Sequence, residues 1–255
     1  MLLHQTVDKL QSLKLLGMAK ALAEQMAQSD IDSLSFDERL GFLIDREATE
    51  RDSRRLKTRL AKAKLKQTAT MEDIDYQQPR GLDKSLIRQL ANCDWIKDHR
   101  NVLIVGPTGT GKTYLACALA HKACLEGCSA YYARLPRLLP ELVISKGDGS
   151  YMKRLNELAK IDLLILDDWG LITLNADHRR DLLEILDDRH GRKSTIVTSQ
   201  IPIKLWHEII NDSTLADAIL DRLIHNAYRV EMKGESMRKI KGQKDQKLLA
   251  KKEGK

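Results

Sequence analysis

Val102-Leu103-Ile104-Val105-Gly106-Pro107-Thr108-Gly109-Thr110-Gly111-Lys112-Thr113 decides the fold. Its four leading apolar residues read as a buried strand, and Tyr114-Leu115-Ala116-Cys117-Ala118-Leu119-Ala120 reads as the helix that follows. Between them stands glycine, four residues, then Gly-Lys-Thr, in the strand–loop–helix setting this pattern requires. Each residue type has a task. Glycines let the backbone curl with its N–H groups turned inward on a polyphosphate. The following helix adds unpaired N–H groups and the positive end of its dipole. Lys112 can reach the β- and γ-phosphates, and the Thr113 hydroxyl can ligate Mg²⁺. The loop residues Gly106, Pro107, Thr108, Gly109, Thr110, Gly111, Lys112 and Thr113 are therefore the expected nucleotide-binding set.

Downstream, Ile161-Asp162-Leu163-Leu164-Ile165-Leu166-Asp167-Asp168 is an apolar strand ending in two carboxylates. Asp167 stands where a carboxylate holds the metal shell, and Asp168 where one polarises the attacking water. A third strand, Lys193 to Gln200, ends in polar residues beside these two strand ends, where parallel sheets bind ligands. Gln200 or Ser199 is expected to sense the γ-phosphate, the plainer alternative being a strand terminus before Pro202. Arg222 follows Asp221 on a helical segment. It fits either a neighbouring subunit's γ-phosphate or a pair with a nearby aspartate. Helices are expected at Leu135–Ile144, short or kinked because of Pro136 and Pro140, and at Tyr151–Lys160. The pattern as a whole is α/β: a central parallel sheet with helices on both faces.

Residues 1–75 read as a small all-helical domain for DNA binding or self-association. Apolar residues recur at helical spacing from Leu3 to Met26, with Gly17 expected to weaken or divide the helix. Ser35 and Glu38 form a capping box that opens a second helix, expected to run on to Lys66. Between Arg51 and Lys66 the one acidic residue is Asp52. Arg51, Arg55, Lys62 and Lys66 fall on one stripe with Arg54 and Arg59 at its edges, a face suited to DNA phosphates. The nucleotide domain is placed at 76–235, and 236–255 is a basic tail expected to be disordered.

Bulk properties agree. The chain has 255 residues and a formal net charge of +7, which favours an anionic partner. Aromatic residues make up 4%, so phosphate contacts are expected ahead of base stacking. The four cysteines include no Cys-x-x-Cys pair and read as buried, reduced thiols. Nothing resembles a membrane span or a signal peptide, and a cytoplasmic location is expected.

The motifs together resemble the IstB-like transposition helper ATPases, AAA+ proteins encoded beside an insertion-sequence transposase. The resemblance rests on the phosphate loop with Tyr114-Leu115-Ala116, on Leu166-Asp167-Asp168-Trp169-Gly170 and on Thr198-Ser199-Gln200. It rests further on Ala216 to Leu223, Gly234-Glu235-Ser236-Met237-Arg238, Asp37-Glu38-Arg39-Leu40 and Pro79-Arg80-Gly81-Leu82. It implies an AAA+ fold, ATP and Mg²⁺ as cofactors, and a homo-oligomer that assembles on double-stranded DNA and engages a transposase. DnaC-type helicase loaders are the nearest alternative. Gln200 would be the first sensor, Arg222 the arginine finger, and Arg238 a second sensor with little chain after Met232 to carry it. The two helices between Tyr132 and Ile161 would match the extra element of the initiator clade, making Lys146, Lys153 and Arg154 further DNA-contact candidates. Related ATPases mostly carry Glu where this chain has Asp168, and the shorter acid suits slow turnover.

Overall fold

The computed structural model describes residues 2–28 and 31–239. By contacts the chain divides into two compact units, Met1–Arg59 and Leu60–Lys255. The division falls earlier than the boundary expected near residue 75. Ala69 and Ile74 are already buried. Of the tail expected to be disordered, 236–255, residues 237–239 are helical and Met237 N donates to Gly109 O, while residues 240–255 lie outside the described residues.

In the first unit, α1 spans Leu2–Ser12, α2 Leu16–Met26, and α3 begins at Phe36 and ends at Ala63. The break between α1 and α2 is at Lys14, which has a left-handed φ of 61°, and not at Gly17 as expected. Gly17 sits inside α2 because α3 crosses there. A Cβ at this position would lie 2.6 Å from the Glu47 Cα and 2.7 Å from the Arg46 carbonyl oxygen. The close approach lets the Glu47 carboxylate accept from the amides of Gly17 at 2.7 Å and Met18 at 3.2 Å. Those are first-turn N–H groups of α2, and Leu15 before them has no side chain able to cap. A buried glutamate on a neighbouring helix does the capping, at the end where the dipole favours an anion. The capping box of α3 forms as expected: Ser35 N donates to Glu38 at 2.8 Å, and Glu38 N donates back to Ser35 Oγ at 3.3 Å.

In the second unit, α4 (Lys84–Ala91) and α5 (Asp94–Lys97) precede β1 (Asn101–Val105) and α6 (Lys112–Leu125). Then come β2 (Ala130–Arg134), α7 (Leu135–Gly147), α8 (Tyr151–Lys160) and β3 (Leu163–Trp169). They are followed by α9 (Ala176–Arg189), β4 (Ser194–Ser199), α10 (Trp206–Ile210), α11 (Ser213–Ile224) and β5 (Ala227–Glu231). The five strands form one parallel sheet in the order β2-β3-β4-β1-β5. β1 and β4 are buried at every position, as strands covered by helices on both faces must be.

α7 runs for 13 residues, longer than its two prolines led us to expect. Pro136 lies in the first turn, where no N–H is needed, and Pro140 is interior. Burial of Leu135, Leu138, Leu139 and Leu142 offsets an interior proline that costs about 3 kcal/mol. Arg189, 1% exposed, joins three segments: its guanidinium donates to the carbonyls of Leu158, Ile161 and Ser194 and to the Thr195 hydroxyl.

Gly17→Ala separates packing from propensity. In an open helix the change stabilises by roughly 1 kcal/mol. Here the added methyl collides with the α3 backbone. We expect lower stability in urea denaturation and faster hydrogen exchange at the amides of residues 17 and 18. Unchanged or higher stability would mean that α2 and α3 do not pack in this way.

Candidate functional site

The carboxyl ends of β1, β3 and β4 lie side by side, because β4 stands between the other two. From β1 the chain enters the Gly106–Thr113 loop, whose Gly111 caps α6 with a left-handed φ of 103°. Lys112 is 8% exposed and folds over the loop, with Nζ donating to the carbonyls of Gly106 at 2.7 Å and Pro107 at 2.8 Å. Burial lowers its pKa, against the pull of Asp167 and Asp168. Thr110 Oγ1 donates to the Pro107 carbonyl at 2.9 Å and tightens the turn.

The loop is braced from outside. Met232 N donates to Val105 O at 2.7 Å, Met237 N to Gly109 O at 2.9 Å, and Arg238 reaches Thr108 Oγ1 at 3.4 Å. Gly106, at φ 153°, has no room for a side chain, because a Cβ there would meet the Met232 carbonyl oxygen at 2.2 Å. Arg80 donates to the Thr110 carbonyl at 3.2 Å and to the Asp75 carbonyl. The Pro79–Leu82 and Gly234–Arg238 segments thus converge on one loop, although far apart in sequence. The sequence reading singled out both without seeing that they meet.

Asp167 lies near the carboxyl end of β3 with no exposure at all. Its carboxylate accepts from Thr113 Oγ1 at 3.0 and 3.2 Å, from Tyr132 Oη at 2.5 Å and from the Thr198 hydroxyl. Lys66 Nζ lies 3.7 Å away. The Thr113–Asp167 contact joins the two oxygen ligands expected to hold a metal. One hydroxyl and one carboxylate beside a phosphate loop suit Mg²⁺, which takes the rest of its shell from substrate phosphates and water. Burial, and then the bond to Asp167, raise the Tyr132 pKa, so the phenol stays a donor.

Asp168 sits differently. Between Leu166 and Trp169 the β3–β4 register slips by one residue, and Asp168 takes a left-handed φ of 66° in that bulge. Its amide donates to Thr198 Oγ1 at 3.3 Å, and its carboxylate is held by Arg134 Nε and Nη2, both at 2.7 Å. The bulge turns two adjacent carboxylates to different surroundings. A strict strand alternation would have placed them on opposite faces.

The other expected residues are scattered. Gln200 is exposed, and the strand-end hydroxyl that reaches Asp167 is that of Thr198. Arg222 pairs with Asp187 at 2.6 and 2.7 Å and donates to the Ala218 carbonyl. On α3, Arg51, Arg54, Arg55 and Arg59 line one open groove of about 450 Å³ with Thr58. Glu47 takes Arg51 at 2.6 Å and Arg54 at 3.5 Å, so two cations of this face share one buried carboxylate. Lys62 is exposed on the same helix. Lys66 is not on that stripe, because α3 stops at Ala63 and Lys64 turns the chain with a φ of 48°. Lys146 is committed to buried Asp181 at 2.6 Å, and Arg154 to the Tyr131 hydroxyl at 2.6 Å, while Lys153 is exposed.

Sequence reasoning missed Tyr132, Arg134, Thr198 and Lys66 as neighbours of the two aspartates. The available signal was the polar end of each parallel strand. Tyr132→Phe removes one donor from a buried carboxylate. We expect a loss of about 1.5–3 kcal/mol in urea denaturation, the cost of a bond to a charged group. A change below 0.5 kcal/mol would mean that Asp167 does not depend on the phenol.

Comparison with known proteins gives the family and the fold. The family model for IstB-like ATP binding proteins matches residues 8–245. An insertion sequence ATP-binding protein of Sinorhizobium fredii is 52% identical over 239 residues, covering 94% of this chain and 98% of its own. The insertion sequence IS21 ATP-binding protein of Pseudomonas aeruginosa is 31% identical over 92% of this chain and 89% of its own. Among solved structures, DnaI matches with a TM-score of 0.57 at 23% identity, over 64% of this chain and 90% of its own. AMPPCP-bound DnaA from Aquifex aeolicus matches with a TM-score of 0.55 at 19% identity, over 69% of this chain and 53% of its own. These two likenesses show the AAA+ fold, and no described helix is long and apolar enough to cross a membrane. By the span of the family match and the identity of its relatives, the chain belongs to the IstB-like ATP-binding protein family of insertion sequences.

Proposed function

We propose that this protein is an ATP-dependent DNA-binding transposition helper. It oligomerises on duplex DNA, hydrolyses ATP to ADP and phosphate, and recruits or stimulates a transposase at the target. The observation that carries the reading is the Thr113–Asp167–Thr198 cluster, built on a buried carboxylate beside the Gly106–Thr113 loop, in a chain whose relatives are named for insertion sequences.

On this reading the loop amides and Lys112 hold the β- and γ-phosphates, and Thr113 and Asp167 hold Mg²⁺, which neutralises charge on the transferred phosphoryl group. Lys112 leaves two carbonyls for phosphate oxygens, exchanging neutral acceptors for anionic ones. Asp168 polarises the attacking water. In this structure it is engaged by Arg134, which fits slow turnover. Arg238, which contacts Thr108, is the proposed second sensor, and Gln200 just past β4 is the proposed γ-phosphate sensor.

Arg222 is the proposed finger between subunits. Its pair with Asp187, itself 60% exposed, is a surface ion pair of about 0–1 kcal/mol and is readily exchanged for a neighbour's phosphate. The α3 groove, with Lys62 and Lys153, offers cations without base-reading geometry, so duplex binding is expected to depend steeply on salt and weakly on sequence.

Lys112→Ala is expected to lose ATP binding in equilibrium titration and, with it, cooperative binding to duplex DNA. Arg222→Ala is expected to bind ATP normally but to lose hydrolysis in the assembled state by a factor of about 10³ or more. If Lys112→Ala coats duplex DNA like the native chain, ATP does not control assembly. If Arg222→Ala hydrolyses normally, Arg222 only pairs with Asp187.

A further inference from the structure

We propose that the second unit carries a phosphate-oxyanion site separate from the Gly106–Thr113 loop. It is a cavity of about 350 Å³ at the end of β2, lined by Lys64, Lys66, Arg134 and Arg137 with Tyr131 and Tyr132. Glu141 is the one carboxylate in its lining.

The backbone brings these cations together. Lys64, just past the end of α3, takes a left-handed conformation, an uncommon choice for a lysine that costs roughly 1 kcal/mol, and so delivers Lys64 and Lys66 to the same wall. Arg134 is the last residue of β2 and Arg137 lies in the first turn of α7, so a helix N-terminus adds its positive end. The four cations are not equivalent. Lys66 and Arg134 are held by Asp167 and Asp168, the carboxylates near the end of β3. Lys64 and Arg137 are exposed, and Arg137 has no ion-pair partner among the described residues. The charge not taken up by a carboxylate is that of Lys64 and Arg137.

The lining also selects the ligand's chemistry. The Tyr131 ring already has Lys64 5.8 Å and Arg154 5.1 Å from its centroid, and its hydroxyl accepts from Arg154. With Tyr131 flanked by two cations and Tyr132 buried, the lining favours ionic contacts over stacking. Apolar lining is limited to Ala133 and Leu138. An arginine fork and a lysine point charge together suit a tetrahedral oxyanion. Two sources supply one: orthophosphate leaving the neighbouring loop, or a phosphate of the DNA backbone. The first source rests on the ATPase reading above, the second on its DNA-binding half.

Orthophosphate is titrated calorimetrically into full-length Lys112→Ala, in which the loop site is disabled; native chain saturated with ADP serves if that variant is poorly folded. We expect saturable binding, weakened about tenfold or more when Lys64→Ala and Arg137→Ala are added, and recovered with Lys64→Arg and Arg137→Lys. Absence of saturable binding, or equal binding after the alanine changes, overturns the site whatever the ATPase assays show. The alanine pair is then made in a chain with its native loop, and duplex binding is measured against salt. A log–log slope reduced by about two assigns the site to DNA phosphate, and an unchanged slope beside lost orthophosphate binding assigns it to the free anion.

Discussion

The Asp167 carboxylate is the constraint around which the second unit is arranged. A charge with no exposure is costly unless its lone pairs are filled. Here three hydroxyls fill them, from α6, β2 and β4, with the Lys66 ammonium nearby. Each donor comes from a different element, so satisfying one carboxylate fixes the relative position of the phosphate loop, the sheet edge and the central strands. The same contacts leave a hydroxyl and a carboxylate oxygen together beside the loop, the pairing a magnesium–phosphate complex needs.

The bulge at Asp168 is the second constraint. In an ideal strand, successive side chains point to opposite faces, and one of two adjacent aspartates would enter the helical layer. One extra residue on β3 and a left-handed φ let both stay at the carboxyl end of the sheet. Asp bears this conformation better than most residues. Thr198 serves both sides, donating to the Asp167 carboxylate and accepting from the Asp168 amide. One threonine on the neighbouring strand thus ties the two aspartates together across the bulge.

In the first unit an interaction of the same kind operates on a smaller scale. Glu47 is buried, caps α2 from outside and holds Arg51 and Arg54. The glycine at position 17 is there because two helix backbones come within reach of that carboxylate. Part of the basic face of α3 is therefore organised by the contact that holds the helices together.

The sequence by itself determined the sheet, the loop and the paired aspartates. Strand burial, glycine spacing and helix capping are local rules, and Val102–Thr113, Leu163–Asp168 and Ser35–Glu38 obey them within a few residues. It also carried the family, through short motifs distributed along nearly the whole chain. Tertiary structure decided what those rules cannot see. Gly17 marks a helix crossing rather than a break, and Lys66 leaves the basic stripe for Asp167. Tyr132, Arg134 and Thr198 become partners of the aspartates. Arg80 and the Met232–Arg238 segment close around the phosphate loop. In each case the partner lies tens of residues away in sequence, and a buried charge or an open N–H selects it only once the chain has folded.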